Sequence, residues 1–233
     1  MKKIMFSDRY GLTQAVLDGK KTMTRRIIKG NFECIKAYNA NFEWHFIADT
    51  LDGESIEIKP IYQIGEKVAV AQRYEECWKI YQQRWESYNP SNWRTPNAIL
   101  GNSVNETPGW KNKMFVKAKY MPYRIRITGI KVEKLQDISI EDCEKEGIIH
   151  VNWRQYLKQD IDDFSPQTYK DHNIWTLPIF EESFLDSWAE QKQGEFAAVL
   201  PDIAFAVLID NISGKGTWMR NPWVFAYEFE LIK

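Results

Sequence analysis

The stretch Gly19-Lys20-Lys21-Thr22-Met23-Thr24-Arg25-Arg26 places four cations and two hydroxyls within eight residues. Crowded cations disfavour further positive charge, so one lysine of such a group can titrate low enough to act as a base. Thr24 follows Lys21 by three positions, and a hydroxyl beside such a lysine is the Ser/Thr–Lys form of an activated nucleophile. The dyad requires a turned segment, because positions 21 and 24 of a flat strand face opposite ways. Taken alone, the octet reads better as a phosphate-contacting surface, the common use of clustered Lys and Arg.

The chain as a whole is close to neutral, with a formal net charge of -1 over 233 residues. The charge is unevenly spread: residues 1–29 sum to +6, 30–110 to -4, 111–134 to +7 and 135–202 to -10. Two short basic segments therefore stand against an acidic C-terminal half. If Lys20, Arg25 and Arg26 meet Arg124 and Arg126 of the second basic segment, they form a local anion-attracting surface on a protein that is not basic overall.

Other chemistries lack their residues. His45, His150 and His172 are isolated from one another and from the cysteines, so no metal is expected. Ser213-Gly214-Lys215-Gly216-Thr217 imitates part of a phosphate loop, but Ile209 stands where its first glycine belongs and Gly216 separates the lysine from a hydroxyl. No nucleophile-elbow pattern occurs, and no cofactor is expected. Cys34, Cys77 and Cys143 are odd in number and widely spaced, which suits free thiols in a reducing compartment. No apolar run reaches the length of a membrane span, and the N-terminus has no signal-peptide pattern. The expected location is the cytoplasm, with no membrane contact.

The elements that must position these residues are short. Ser7 can cap a first helix that stops at Gly19. FECIKAYN, FEWHFIAD and SIEIKP read as a β meander, and KVAVAQ, MFVKAK and YRIRITGIKVEKL as further strands. Tyr74, Trp78, Tyr81, Trp85 and Tyr88 make an aromatic stripe at helical spacing, of the kind that packs on a sheet. NPSNW and ETPGWKN carry turn chemistry. Ser139 caps a short helix ending at Gly147. Residues 150–175 read as an exposed insertion. Helices through EESFLDSWAE and DIAFAVLIDNI precede a last strand, NPWVFAYEFELI, with Trp223, Phe225, Tyr227, Phe229 and Leu231 on one side. The reading is one α+β domain built on a curved, largely antiparallel sheet or small barrel.

Together these segments resemble the ASCH family: the lysine–threonine octet closing the first helix, Ile64-Gly65-Glu66 entering a strand, EKLQDISIEDCEKEGI, and the closing NPWVFAYEFEL. The matching stretches, about 5–28, 61–73, 114–148 and 203–232, occur in the expected order and cover nearly half of the chain. The closest likeness is to the larger members found in bacteria and their phages. Residues 31–60, 74–113 and 149–200 are insertions relative to the smallest members. The resemblance implies a PUA-like β-barrel with a cleft for RNA or a modified nucleobase. Some small members are amidohydrolases that deacetylate N(4)-acetylcytidine with a lysine, a threonine and a glutamate. Those roles fall on Lys21 as base, Thr24 as nucleophile and Glu146 as proton donor to the leaving amine. Arg25 stands where small members carry an apolar residue. A third use, docking of a protein partner on the aromatic segment 74–113, is also compatible with the sequence.

Overall fold

The computed structural model describes residues 1–40, 43–87, 95–152, 173–176 and 200–232. In chain order its strands are β1 (Lys3–Ile4), β2 (Met23–Ile27), β3 (Phe32–Ala40), β4 (Glu43–Thr50), β5 (Ser55–Ile58), β6 (Lys67–Val70), β7 (Arg124–Lys134), β8 (Ile149–Asn152), β9 (Asn173–Thr176) and β10 (Trp223–Ile232). Its helices are α1 (Leu12–Leu17), α2 (Tyr74–Ser87), α3 (Pro96–Leu100), α4 (Ile140–Lys145), α5 (Pro201–Ser213) and α6 (Thr217–Arg220). The architecture is mixed α+β, and the sheets are open among the described residues. Where the sequence suggests one domain with insertions, the chain gathers into two compact units. The first comprises Met1–Phe6, Ile64–Ile127 and Phe229–Lys233; the second comprises Ser7–Gln63 and Thr128–Glu228.

In the first unit β1 runs parallel to β6 (Lys3 opposite Ala69), and β6 runs antiparallel to the start of β7 (Lys67 opposite Arg126). Val68, Ala69, Val70 and Ala71 are wholly buried. Over Ala69 and Ala71 lies the aromatic stripe of α2. Tyr74, Trp78 and Tyr81 pack with Val116 and Met121 there, while Trp85 at the far end stays 42% exposed. The strand expected in MFVKAK is two 3-10 turns instead, Lys113–Phe115 and Ala118–Tyr120. Side chains satisfy its backbone in place of a ladder. The Tyr74 hydroxyl accepts from Lys117 N at 2.7 Å, and Lys3 Nζ donates to the carbonyls of Met114 and Val116 at 2.6 and 3.0 Å.

In the second unit β2 pairs antiparallel with β10, Met23 opposite Glu228 and Ile27 opposite Val224. The β3–β4–β5 meander forms as expected, with Phe46 buried edge-on against Phe225 at 5.0 Å between centroids. β8 and β9 form an antiparallel pair. Along β10, Phe225 and Tyr227 are buried, but so are Val224 and Ala226, so both faces of the strand are covered in this unit. The first helix begins at Leu12, not after Ser7. Asp8 to Gly11 form a turn that ends with Gly11 at φ +66°, and Thr13 Oγ1 donates to Asp8 Oδ1 at 2.5 Å. α4 starts and stops where the sequence indicates: the Ser139 hydroxyl accepts from Asp142 N at 3.2 Å, and Gly147 takes φ +96°.

The helix expected over 181–190, most of the expected 150–175 insertion, the NPSNW turn, Tyr88 and His172 lie outside the described residues. No described helix is long and apolar enough to cross a membrane.

Candidate active site

After α1, the amides of Lys20 and Lys21 both donate to the Ala15 carbonyl, at 2.8 and 2.9 Å, across Gly19 at φ +76°. This left-handed stop, which favours glycine, turns the chain sharply. Thr22 N then donates to the Lys145 carbonyl at 2.9 Å, holding the segment against the end of α4. Lys21 therefore points inward rather than to solvent, and only 2% of it is exposed. Its Nζ donates to Glu146 Oε2 and to the Glu146 carbonyl, each at 2.6 Å. Burial holds the Lys21 ammonium below the usual lysine range. Glu146 opposes that shift, and Arg26 and Arg25 add to it.

Glu146 is also held from its other oxygen. Arg25 Nη1 lies 3.2 Å from Glu146 Oε1, while Nη2 reaches Asp142 Oδ2 at 2.8 Å and Glu133 Oε1 at 2.7 Å. The guanidinium fork offers five donors in one plane, so a single arginine can serve three carboxylates. Lys131 pairs with Glu133 at 3.0 Å and closely with Asp142. Lys21, Arg25 and Lys131 thus face Glu133, Asp142 and Glu146, a cluster with no formal net charge. Burial pushes the Asp142 carboxyl upward, but Lys131 and Arg25 outweigh it and hold it below the ordinary carboxylate range.

Arg25 is consequently not part of a nucleic-acid-facing surface, as its sequence neighbours suggest. Its side chain is buried among carboxylates and lies over the Phe205 ring at 5.8 Å. The four cations of the octet have different fates: Lys20 is exposed, Lys21 and Arg25 are interior, and Arg26 is half-buried. Arg124 and Arg126 belong to the first unit. Both are exposed, and Arg126 pairs with Glu230 at 3.2 Å.

Thr24 is buried in β2 opposite Tyr227. Arg25 Nη1 lies 3.3 Å from Met23 Sδ, so these two share a strand face. Alternation then sets Thr24 with Arg26 on the other face. The turned geometry that a Lys–Thr dyad needs is present at Lys21 and has ended by Thr24.

Glu133, Asp142 and Lys131 are members of the cluster that the sequence reading misses. Their signal was spacing: Lys131 and Glu133 are two apart on one strand, and Asp142 and Glu146 are four apart at one helix end. Among the described residues no group of His, Cys, Asp and Glu gathers to hold a metal ion.

Comparison of the chain with protein-family models, curated proteins and solved structures finds no match.

Proposed function

We propose that this chain is a PUA-like ASCH protein that hydrolyses an exocyclic amide on a nucleobase, with N(4)-acetylcytidine as the type of substrate. The observation supporting it is the buried Lys21–Glu146 pair, joined at 2.6 Å by residues 125 apart in sequence. A proton moving from Lys21 to Glu146 across that bond leaves a free amine beside a carboxylic acid, the base and acid that amide hydrolysis needs. Thr24 lies on the far side of β2 from Lys21, so the nucleophile in this reading is water: neutral Lys21 takes a proton from it and the oxygen attacks the acyl carbon. Glu146 gives its proton to the departing exocyclic nitrogen, the acyl group leaves as the carboxylic acid, and Lys21 and Glu146 are returned to their charged forms.

The test is incubation of micromolar protein with a panel of N-acylated nucleosides, reading the free nucleoside chromatographically. Turnover that disappears in Lys21→Ala and in Glu146→Ala, with unchanged far-ultraviolet circular dichroism, supports the reading. No hydrolysis of any panel member overturns it. Thr24→Val should keep turnover; its loss there with the fold intact overturns attack by water.

A second reading, RNA binding without chemistry, draws on β7, where exposed Arg124 and Arg126 alternate with buried Ile125 and Ile127. It predicts that log affinity for single-stranded RNA falls by roughly 0.7 per phosphate contacted for each log unit of salt. Affinity indifferent to salt and to the double change Arg124→Ala, Arg126→Ala overturns it.

A further inference from the structure

The first unit holds a cavity of about 290 Å³ lined by Trp78, Asn97, Asn102, Val104, Asn105 and Trp110. Two indoles offer flat faces for stacking, and three primary amides each carry a donor and an acceptor. None of the lining residues is charged.

The walls of this cavity are held in place. Trp78 comes from α2 and donates from Nε1 to Asn97 Oδ1 at 3.2 Å, which orients that amide. Asn97 stands in α3, whose N-terminus is capped by the Thr95 hydroxyl accepting from Ala98 N at 3.3 Å. Leu100 and Val104 anchor the next turn in the core beside Tyr74 and Cys77. Trp110 closes a 3-10 turn in which its amide donates to the Thr107 carbonyl at 3.0 Å. Gly109, just before it, lies so close to Tyr74 that a Cβ would stand 2.6 Å from the ring. Only glycine permits that approach, and the approach fixes where Trp110 stands.

The unit that carries the cavity is strongly basic. Its sequence has fourteen Lys and Arg against six Asp and Glu, a formal +8, whereas the second unit sums to -9. Lys111 follows Trp110 directly and is exposed. Stacking faces, base-edge-like amides and a unit of net positive charge suit an unstacked base on a phosphate chain. A sugar would also stack on indoles, but it draws nothing from the charge.

We infer that this cavity is a nucleobase subsite for single-stranded nucleic acid, taking one splayed base between Trp78 and Trp110 with the Asn97, Asn102 and Asn105 amides reading its edge. Its ligand class rests on the nucleic-acid reading above and not on the hydrolase chemistry.

The test is fluorescence anisotropy of a labelled single-stranded oligoadenylate RNA against wild type, Trp110→Ala, the pair Asn102→Ala plus Asn105→Ala, and Met219→Ala at an exposed position of the second unit, each checked by circular dichroism. Trp110 is partly buried, so the exposed asparagine pair supplies a variant that leaves the packing intact. The expected result is roughly 5- to 150-fold weaker binding for Trp110→Ala, weaker binding for the asparagine pair, unchanged binding for Met219→Ala and the same salt slope in all four. Wild-type affinity in both cavity variants overturns the subsite while RNA binding stands. Absence of RNA binding by the wild type overturns the subsite and the RNA reading together. Binding of cellohexaose in place of RNA, lost in the same variants, overturns the assignment of the ligand.

Discussion

Lys21 Nζ gives two hydrogen bonds of 2.6 Å to one residue, Glu146, through its carboxylate and its main-chain carbonyl. The carboxylate bond is a buried ion pair, and the carbonyl bond fixes the ammonium at the end of α4. Arg25 holds the opposite carboxylate oxygen at 3.2 Å. Lys21 and Arg25 therefore hold Glu146 through different atoms.

This division separates two substitutions. Lys21→Met removes a desolvated ammonium while Glu146 keeps Arg25, so the fold should survive as turnover disappears. Arg25→Met removes the cation that reaches all three of Glu133, Asp142 and Glu146, leaving them Lys21, Lys131 and, at 3.7 Å from Asp142, Lys145. Breaking a buried ionic group from one side costs about 3–5 kcal/mol, so its urea midpoint should fall far below that of Lys21→Met. Equal midpoints for the two variants would contradict the arrangement.

The pH dependence of stability follows from the shifted groups. Asp142 titrates below its ordinary range when folded, so its contribution is complete above about pH 3.9 and is lost as pH falls through the lower folded value. Lys21 is lowered too, chiefly by burial, so its slope has the same sign in a higher pH window. Between its folded value and about pH 10.4 the unfolded chain binds the extra proton, and stability rises with pH. Lys131 is raised despite burial, by Asp142 and Glu133, so its contribution is lost once pH climbs through its folded value. Denaturant midpoints measured from pH 3 to 11 should show the alkaline rise in wild type and a smaller one in Lys21→Met.

Thiol reactivity should sort the cysteines. Burial pushes Cys77 and Cys143 up to about 12, and neither is exposed, whereas Cys34 is partly accessible. Iodoacetamide at neutral pH followed by peptide mass spectrometry should label Cys34 first. Cys77 and Cys143 should react only after denaturation.

Tyr227 provides a test of the second unit's core. Its hydroxyl accepts from Ile61 N at 2.9 Å, and its ring meets Tyr62 edge-on at 5.3 Å. Tyr227→Phe keeps the ring and removes that hydrogen bond, at a cost of about 0.5–1.5 kcal/mol. A midpoint equal to wild type would show that the bond contributes nothing.

Strand periodicity made the meander, β6, β7 and β10 legible in the sequence, and Ser139 and Gly147 marked both ends of α4. MFVKAK misled because alternation says nothing about whether a neighbouring ladder exists; Lys3 and the Tyr74 hydroxyl took those backbone groups instead. Ser7 misled because a competing turn ending in Gly11 delays the helix. At the site, Lys21 was named from the octet's crowded cations and Glu146 from a resemblance, and the structure brings them together. Arg25 was misplaced because the octet's charge was counted without its partners, which lie 108 to 121 residues away. Long-range pairing of this kind leaves no local trace beyond the two- and four-residue spacings of Glu133, Asp142 and Glu146.

β10 contributes to both units: its early residues pair with β2 in the second, while Phe229, 5.7 Å from the Phe6 ring, belongs to the first. A chain emerging from the ribosome therefore cannot finish either half until this late-translated segment arrives. Completion of either half should wait on synthesis of this strand, and chains stalled ahead of residue 223 should remain protease-sensitive throughout.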